Sequence, residues 1–339
     1  MVNNRKTIQE FLALANLPGE DDGTRFTDPR RRNKIIEVMS QIQGVQLLHK
    51  DDYLLLYSTG IAASGDIILV SCHIDHVFKE KELFLKMDGE NISGTLDNSG
   101  GIAALLYSLQ EGGLPENVII SLTGGEESGY RGAEATCEFL ENEKESLYDR
   151  LGLVVTIDMT PDNTEKELSL ENLNIEEGDF ESTGVRFNSV QDLKERVTRL
   201  LDGFKFGVIE DAEPDESHCY AERDLNTVSL CLPCVCADGD PHSTAGCSTK
   251  LHKIEMLAKA IRAVTALLNS GGSVKKEVTP QEFMVWAMKN KLWVTTQSRI
   301  LIDEAVVDLH NRKLITEEEY GRYLALTKEW ARKIFQEEE

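Results

Sequence analysis

The chain has 339 residues, enough for one large α/β domain or two modest ones with a proper core. Its formal net charge is −23, which argues against nucleic acid and anionic membranes as main partners, because both bind clustered cations. No apolar run approaches the length needed to cross a bilayer, and the seven cysteines follow no pattern typical of secreted proteins. These features predict a reduced, cytoplasmic protein with an acidic surface.

Short apolar segments alternate with amphipathic ones along the first 270 residues. Predicted strands, rich in β-branched residues as buried parallel strands are, occupy 66–73, 117–124, 151–158 and 226–233. Predicted helices occupy 98–110, 131–143, 190–203 and 251–269. Strands separated by helices predict a three-layer α/β sandwich, in which helices cover both faces of a mostly parallel central sheet.

The C-terminal part has a different composition. Residues 269–281 resemble a linker, and residues 282–339 are charged and helical in pattern. We therefore predict one domain over residues 1–270, followed by a linker and helical C-terminal extension over residues 271–339. The extension carries no obvious chemistry, and we expect it to pack against the domain or to make an oligomer contact.

Acidic residues and histidines gather where the predicted strands end or a helix begins. In parallel sheets, ligands bind beyond the carboxyl ends of the strands. The residues at those positions are His73, Asp75, Asp97, Glu126, Glu127, Asp158 and His242. Each alone has an ordinary explanation, such as a turn or a solvated carboxylate. Together, from five segments at one edge of the sheet, they predict a metal site.

The segments around these residues carry a family resemblance. HIDHV (73–77), GTLDNSGG (94–101), GGEESGYRGAE (124–134), VVTID (154–158) and PHS (241–243) resemble the co-catalytic zinc exopeptidase superfamily. That group includes aminopeptidases of the leucyl and glutamyl type, carboxypeptidases of the glutamate type and related deacylases. The resemblance spans roughly residues 67–243 and makes the domain over residues 1–270 a zinc peptidase catalytic domain.

The resemblance implies a ligand set for two zinc ions. Asp97 would bridge the ions, with His73 and Asp158 completing one site and Glu127 and His242 the other. Imidazole and carboxylate suit Zn²⁺, and three protein ligands per ion leave room for water. Other divalent ions, such as Co²⁺ or Mn²⁺, are alternatives.

Glu126 and Asp75 would support the ligands rather than bind metal. On an extended chain adjacent side chains point opposite ways, so Glu127 would face a metal while Glu126 faces a water molecule. Glu126 would take a proton from that water as it attacks a carbonyl, then return the proton to the leaving amine. Asp75 would accept the other ring N–H of His73 and fix its tautomer.

The segment PDESHCYAERDLNTVSLCLP (214–233) resembles the part of these relatives that lines the substrate pocket. His218 or Tyr220 is predicted to hydrogen-bond the developing oxyanion, with a purely structural role as the equal alternative. Asp215 and Glu216 are candidates to receive a free amino group of the substrate. The cysteines of CLPCVC (231–236) are interpreted as small apolar core thiols rather than metal ligands.

The spacing of the ligands bears on the branch of the superfamily. His73 and Asp97 are 24 positions apart, and Asp158 and His242 are 84 apart, too few for the additional domains of several relatives. An aminopeptidase-type exopeptidase is therefore predicted. HIDHV and EESGYRGAE look more like lidded branches, so a carboxypeptidase or N-acyl amino acid deacylase stays an alternative. A non-catalytic binding protein on this scaffold is a rival of another class, and homo-oligomer formation is left open.

Overall fold

The computed structural model of the protein describes residues 6–17, 29–78, 82–162, 165–174, 190–209 and 212–266. The chain divides into two units, residues 1–272 and 273–339, and all described residues belong to the first. The predicted linker and helical extension over residues 271–339 lie outside the described residues. The assignment of a catalytic domain followed by an extension stays a prediction.

Helices and strands alternate through most of the described chain. The helices are α1 (Ile8–Ala15), α2 (Pro29–Met39), α3 (Ser99–Glu111), α4 (Arg131–Glu143), α5 (Glu145–Tyr148), α6 (Val190–Leu200), α7 (Ser217–Ala221) and α8 (Leu251–Thr265). The strands are β1 (Gln46–Lys50), β2 (Leu54–Ser58), β3 (Ile67–His73), β4 (Leu85–Asp88), β5 (Asn91–Gly94), β6 (Val118–Thr123), β7 (Leu151–Pro161), β8 (Leu168–Asn174), β9 (Phe206–Val208), β10 (Thr227–Cys236) and β11 (Cys247–Lys250). None of the helices in this part of the chain is long and apolar enough to cross a bilayer.

The strands form one mixed sheet in the order β1-β2-β6-β3-β7-β10-β11-β5-β4, with β8 paired to β10 and β9 paired to β8. The four central strands β6, β3, β7 and β10 are parallel to their neighbours within that group. Strands β1 and β2 on one side, and β11, β5 and β4 on the other, continue the sheet in antiparallel fashion. The predicted α/β fold is confirmed, and its parallel part is the centre of the sheet.

Helices cover both faces of the sheet, as predicted. On one face α1, α3 and α8 contact one another, and their apolar side chains share one core cluster with strands of the sheet. On the other face α4 and α7 contact each other and pack over β2, β6 and β10, around a second cluster. Every residue of β3 and β6 is buried, which explains why their sequences are mostly apolar.

Candidate metal centre

The register of the central strands brings His73 level with Asp158. His73 pairs with Thr123 across β3 and β6, and Ser71 pairs with Thr156 across β3 and β7. His73 and Asp158, each two residues further on, therefore point to the same face of the sheet. Nε2 of His73 lies 3.3 Å from Oδ1 of Asp158. Strand β7 continues beyond Asp158 to Pro161, so Asp158 lies inside this strand rather than at its end.

Asp97 follows β5 and is shared between two clusters of ligand atoms. Its Oδ1 lies 3.3 Å from Nε2 of His73, and its Oδ2 lies 3.2 Å from Nε2 of His242. The same nitrogen of His242 is 3.1 Å from Oε2 of Glu127. The ligand atoms of each cluster lie within 4.8 Å of one another, and the clusters are His73–Asp97–Asp158 and Asp97–Glu127–His242.

Unpartnered oxygen atoms indicate what these clusters would hold. Oδ1 of Asp97 and Oε1 of Glu127 are buried; neither makes a hydrogen bond of good geometry within the described part of the chain, and Oδ1 of Asp97 faces only the ring nitrogen of His73. A buried carboxylate oxygen without a partner is costly, and a cation would satisfy it. Imidazole nitrogen and carboxylate oxygen together are the ligands of divalent zinc in catalytic sites. The donor set therefore fits two divalent cations that share Asp97.

Glu126 and Glu127 lie on a short 3₁₀ helix, Glu126–Ser128. Gly125 and Gly129 flank it with φ angles of 70° and 113°, in the left-handed region that glycine adopts at little cost. Carboxylate oxygens of both glutamates form a third cluster with His73, within 4.8 Å. The prediction that the pair ends an extended strand is wrong, because β6 stops at Thr123 and the glycines turn the chain.

Asp75 lies behind the ligands and is buried. Its Oδ1 is 3.5 Å from Nδ1 of His73, and its Oδ2 accepts a hydrogen bond from the backbone N–H of Glu127 at 3.4 Å. One carboxylate thus contacts a ligand residue of each cluster. A carboxylate on the far ring nitrogen of a ligating histidine sets the tautomer and orientation of the ring.

The carboxylates change the protonation of both histidines. Burial by itself lowers the pKa of His73, but the carboxylates of Asp158 and Glu126 outweigh burial and raise it well above its usual value. Hydrogen bonds to the carboxylates, first of all that of Asp97, raise the pKa of His242 to about 11. Without cations, protons therefore occupy these nitrogens, and a metal ion would have to displace them.

The pKa of Glu126 is raised, mainly because its side chain is buried and partly because other carboxylates lie nearby. Burial raises this pKa to about 9, the nearby His73 opposes the shift, and the carboxylates of Asp158 and Glu127 add to it. Divalent cations held by the neighbouring side chains would favour the charged form and lower the pKa of Glu126. A strongly shifted carboxylic acid beside a set of ligands is typical of a general acid–base residue.

Asn98 connects the turn of Asp97 to strand β7. Its Nδ2 donates to the carbonyl oxygen of Ile157 at 2.7 Å, and its Oδ1 accepts from the backbone N–H of Gly101 at 3.1 Å, which caps α3. A Cβ atom on Gly101 would collide with the Asn98 side chain. The predicted helix over residues 98–110 includes Asn98, which instead caps the helix from outside; an asparagine just before a helix is a common N-cap.

His218 and Tyr220 do not lie among the ligands. The His218 side chain is 56% exposed, and its Nε2 lies 3.3 Å from Oε1 of Glu222 on the same face of the helix. Tyr220 is fully buried, and its hydroxyl lies 2.8 Å from Oγ of Ser71 beneath the sheet. The prediction that either residue stabilises an oxyanion does not fit these positions, because helix α7 directs one side chain outward and the other into the core.

Asp215 and Glu216 precede α7 and face hydroxyl groups of the central strands. Oδ2 of Asp215 accepts from Oγ1 of Thr156 at 3.3 Å, and Oε2 of Glu216 accepts from Oγ1 of Thr123 at 2.6 Å. Both acids are buried. Burial is the main cause that raises the pKa of Glu216 to about 7. A role of either acid in receiving a substrate amino group stays a prediction.

A disulfide joins Cys236 to Cys247. The two residues are directly paired across β10 and β11, at the base of the segment that carries His242. Cys231 and Cys234 are buried and free, as predicted for core thiols. The prediction fails for Cys236, because its partner follows a loop and is recognisable only once the two strands are paired.

Solved structures of several peptidases share this fold. The TET1 peptidase of Pyrococcus horikoshii is 15% identical, with a TM-score of 0.54 over 76% of this chain and 99% of that one. The aminopeptidase PepT from Bacillus cereus is 11% identical, with a TM-score of 0.57 over 77% and 98%. The LapA aminopeptidase of Legionella pneumophila is 14% identical, with a TM-score of 0.55 over 78% and 70%. At these identities the likeness establishes the fold.

A comparison with family models shows a similarity in sequence as well. Residues 58–211, a little under half of the chain, match the model of peptidase family M28. This segment contains the proposed ligands and base except His242, namely His73, Asp97, Glu126, Glu127 and Asp158. None of the curated protein sequences is significantly similar to the chain. The predicted resemblance to the co-catalytic zinc exopeptidases is thereby confirmed.

Proposed function

We propose that the protein is an aminopeptidase-type exopeptidase that binds two zinc ions and hydrolyses the N-terminal peptide bond of its substrates. The observation that carries this proposal is the position of Asp97. Its two oxygens face two separate histidines, each of which has a further carboxylate within 3.3 Å. A carboxylate shared in this way is what a two-metal site requires.

His73, Asp97 and Asp158 would hold one ion, and Asp97, Glu127 and His242 the other. When bound, the ions would lower the pKa of a water molecule toward neutrality and polarise the carbonyl group that is attacked. Zn²⁺ suits this set of ligands, and Co²⁺ or Mn²⁺ would also be accepted.

The protein's own side chains supply proton transfer and orientation. Glu126 takes a proton from the attacking water and delivers it to the leaving amine, a role that is worth about 10²- to 10⁴-fold in rate. Asp75 keeps Nδ1 of His73 protonated, so that Nε2 presents its lone pair to the cluster. The turn between Gly125 and Gly129 holds Glu126 beside the ligands.

Two features favour a substrate with a free amino terminus. Solved structures with this fold include proteins described as aminopeptidases and a tripeptidase. The edge of the sheet also carries more carboxylates than two dications would neutralise, among them Glu126, Asp215 and Glu216. This excess attracts a positively charged α-ammonium group and repels a free α-carboxylate.

The test compares Glu126→Gln with Glu134→Gln, a change of the same kind at an exposed position of α4. We expect Glu126→Gln to keep two metal ions per chain while kcat falls by about 10²- to 10⁴-fold, and Glu134→Gln to match the wild type. Full activity of Glu126→Gln would contradict the mechanism. Metal content is measured by elemental analysis. Activity is assayed on aminoacyl amides and, separately, on the same amides with an acetylated amino group. Activity on the blocked amides alone would assign a deacylase instead.

A cytoplasmic location and self-association complete the proposal. The net charge of −23 and the free buried thiols agree with a cytoplasmic protein, although the pair Cys236–Cys247 is oxidised. The TET1 peptidase, which shares the fold, is described as a dodecamer and as a tetrahedral or octahedral assembly. Sedimentation velocity of the full chain would give the oligomeric state directly.

A further inference from the structure

Arg31 of α2 has a buried side chain behind the metal centre. It precedes the segment that matches the peptidase family, residues 58–211. Its relative exposure is 2%, which is unusual because a guanidinium group loses its hydration on burial. A buried arginine is retained in a fold when its donors meet well-placed acceptors.

The acceptors of Arg31 come from three different segments of the chain. Its Nη1 donates to the carbonyl oxygen of Ile74 at 2.9 Å and to that of Asp75 at 3.3 Å. Its Nη2 donates to Oγ of Ser99 at 2.7 Å. Its Nε donates to the carbonyl oxygen of Ala15, at the end of α1.

Two of these segments carry metal-ligand candidates. Ile74 and Asp75 directly follow His73, and Ser99 is two residues beyond Asp97. The planar guanidinium group thus links the end of β3 to the start of α3. Because its donors lie in one rigid plane, it fixes the distance between the two segments, and with it the distance between the His73 and Asp97 side chains.

The influence of Arg31 extends to the second cluster through Asp75. The carbonyl of Asp75 accepts from Arg31, while its carboxylate lies 3.5 Å from Nδ1 of His73 and accepts from the N–H of Glu127. A shift of the Asp75 backbone would therefore move a ligand residue of each cluster.

We propose that Arg31 is a positioning residue that sets the geometry of the metal ligands, an inference that rests on the proposed function. It acts through the backbone of Ile74 and Asp75 and through Ser99, and it contacts neither the ions nor the substrate. The N-terminal helices thus support the metal centre from behind, although the segment that matches the family begins after them.

The test uses Arg31→Lys, which keeps the positive charge but has a single nitrogen that cannot bridge both segments. We expect its metal dissociation constants to rise by about 10- to 100-fold, as for other residues that support metal ligands. The absorption spectrum of the Co²⁺ form should change, and kcat should fall more than KM rises. The control is Arg32→Lys in the same helix, where the arginine donates to the carbonyl of Asp51, and it should behave as the wild type.

A second variant keeps the proposal testable if Arg31→Lys does not fold. Ser99→Ala removes one acceptor of Arg31 without changing the charge, and we expect a smaller loss of metal affinity in the same direction. The thermal midpoint of the metal-free proteins separates positioning from general stability. A lower midpoint with unchanged metal affinity in both variants would overturn the proposal. A wild-type chain that binds no metal at the two clusters would instead overturn the proposed function.

Discussion

The two histidines proposed as metal ligands lie in very different surroundings. The His73 side chain is 2% exposed and belongs to a central strand, where Asp75 faces its ring from behind. The His242 side chain is 44% exposed and belongs to a loop between β10 and β11. Local bonds shape that loop, among them one from the N–H of His242 to Oδ1 of Asp240 at 2.9 Å.

This difference indicates how the site is built. The cluster of His73 is held in place by the core of the sheet, so its geometry is fixed when the whole domain folds. The cluster of His242 depends on a loop whose two ends are joined by the pair Cys236–Cys247. The ligands in the core should therefore resist disturbance of the loop, while the loop ligand should respond to it.

The largest effect is expected for Asp97→Ala, which removes the ligand that both clusters share. Metal should be lost from both clusters, and kcat/KM should fall by more than about 10³-fold, because electrostatic stabilisation is usually the largest catalytic contribution. Elemental analysis and a peptidase assay check this. A variant that keeps one tightly bound ion would show that the clusters are independent.

The next effect separates the two histidines. In the metal-free protein, His73→Ala should lower the free energy of unfolding by about 3–5 kcal/mol, because it leaves buried carboxylates without their cationic partner. His242→Ala should cost less, about 1 kcal/mol, because solvent screens the ring of His242, although its partners Asp97 and Glu127 are themselves buried. Urea unfolding with a chelator present measures both. Equal losses would remove the contrast between core and loop.

Removal of the disulfide by Cys236→Ser with Cys247→Ser tests the loop alone. The free energy of unfolding should fall by about 3 kcal/mol, from the loop-closure entropy of a short loop. Metal affinity should fall in the cluster that contains His242 and stay unchanged in that of His73, which stepwise Co²⁺ titration can resolve. Cys137→Ala, a change at a buried free thiol of α4, is the control for cysteine replacement. A uniform loss of affinity in both clusters would contradict the proposed independence of the core ligands.

The last effect concerns Glu216 and depends on pH. Its pKa is raised by burial from 4.5 to about 7, so between these values the folded protein holds a proton that the unfolded chain has released. Stability should therefore fall as pH rises from about 4.5 to 7, by up to about 3 kcal/mol. Glu216→Gln, which mimics the protonated acid, should lose only part of this slope in chelator-treated protein, because burial also raises the pKa of Glu171 to about 7 and that acid titrates in the same direction. An unchanged slope in the variant would assign the titration to another group.

The central elements of the fold and the ligands could be predicted because their signals are local. Strands β3, β6, β7 and β10 are apolar runs, and the helices that follow them have periodic sequences. His73, Asp97 and Glu127 lie at or next to the ends of these strands and helices, and Asp97 and Glu127 also lie in short motifs with glycines. The carboxyl ends of parallel strands lie at one edge of a sheet, and residues near this edge therefore come together in the fold.

Other features depend on tertiary contacts and have no local signal. Arg31 lies in the basic run PRRRNK, which is typical of an exposed helix, and only tertiary contacts bury it, namely the packing of α2 against α1 and its hydrogen bonds to Ile74 and Ser99. Strands β4 and β5 have only four residues each and are partly exposed, and β8 has polar residues among its leucines, so their sequences lack a clear strand pattern. The positions of His218 and Tyr220 depend on helix α7, which has five residues and no periodic pattern that would predict it.

The connectivity of β8 has a consequence for how the chain is made. This strand precedes β10 in sequence, yet among the described strands it pairs with β10 and β9 and with none of the strands that come earlier in the chain. During synthesis on the ribosome, β8 must therefore wait until β10 has emerged before it can join the central sheet. Until then the leucines of β8 that are buried in the folded protein, Leu168 and Leu170, have no place in the central sheet, and a stalled or truncated product ending before Thr227 would expose them to chaperones and proteases.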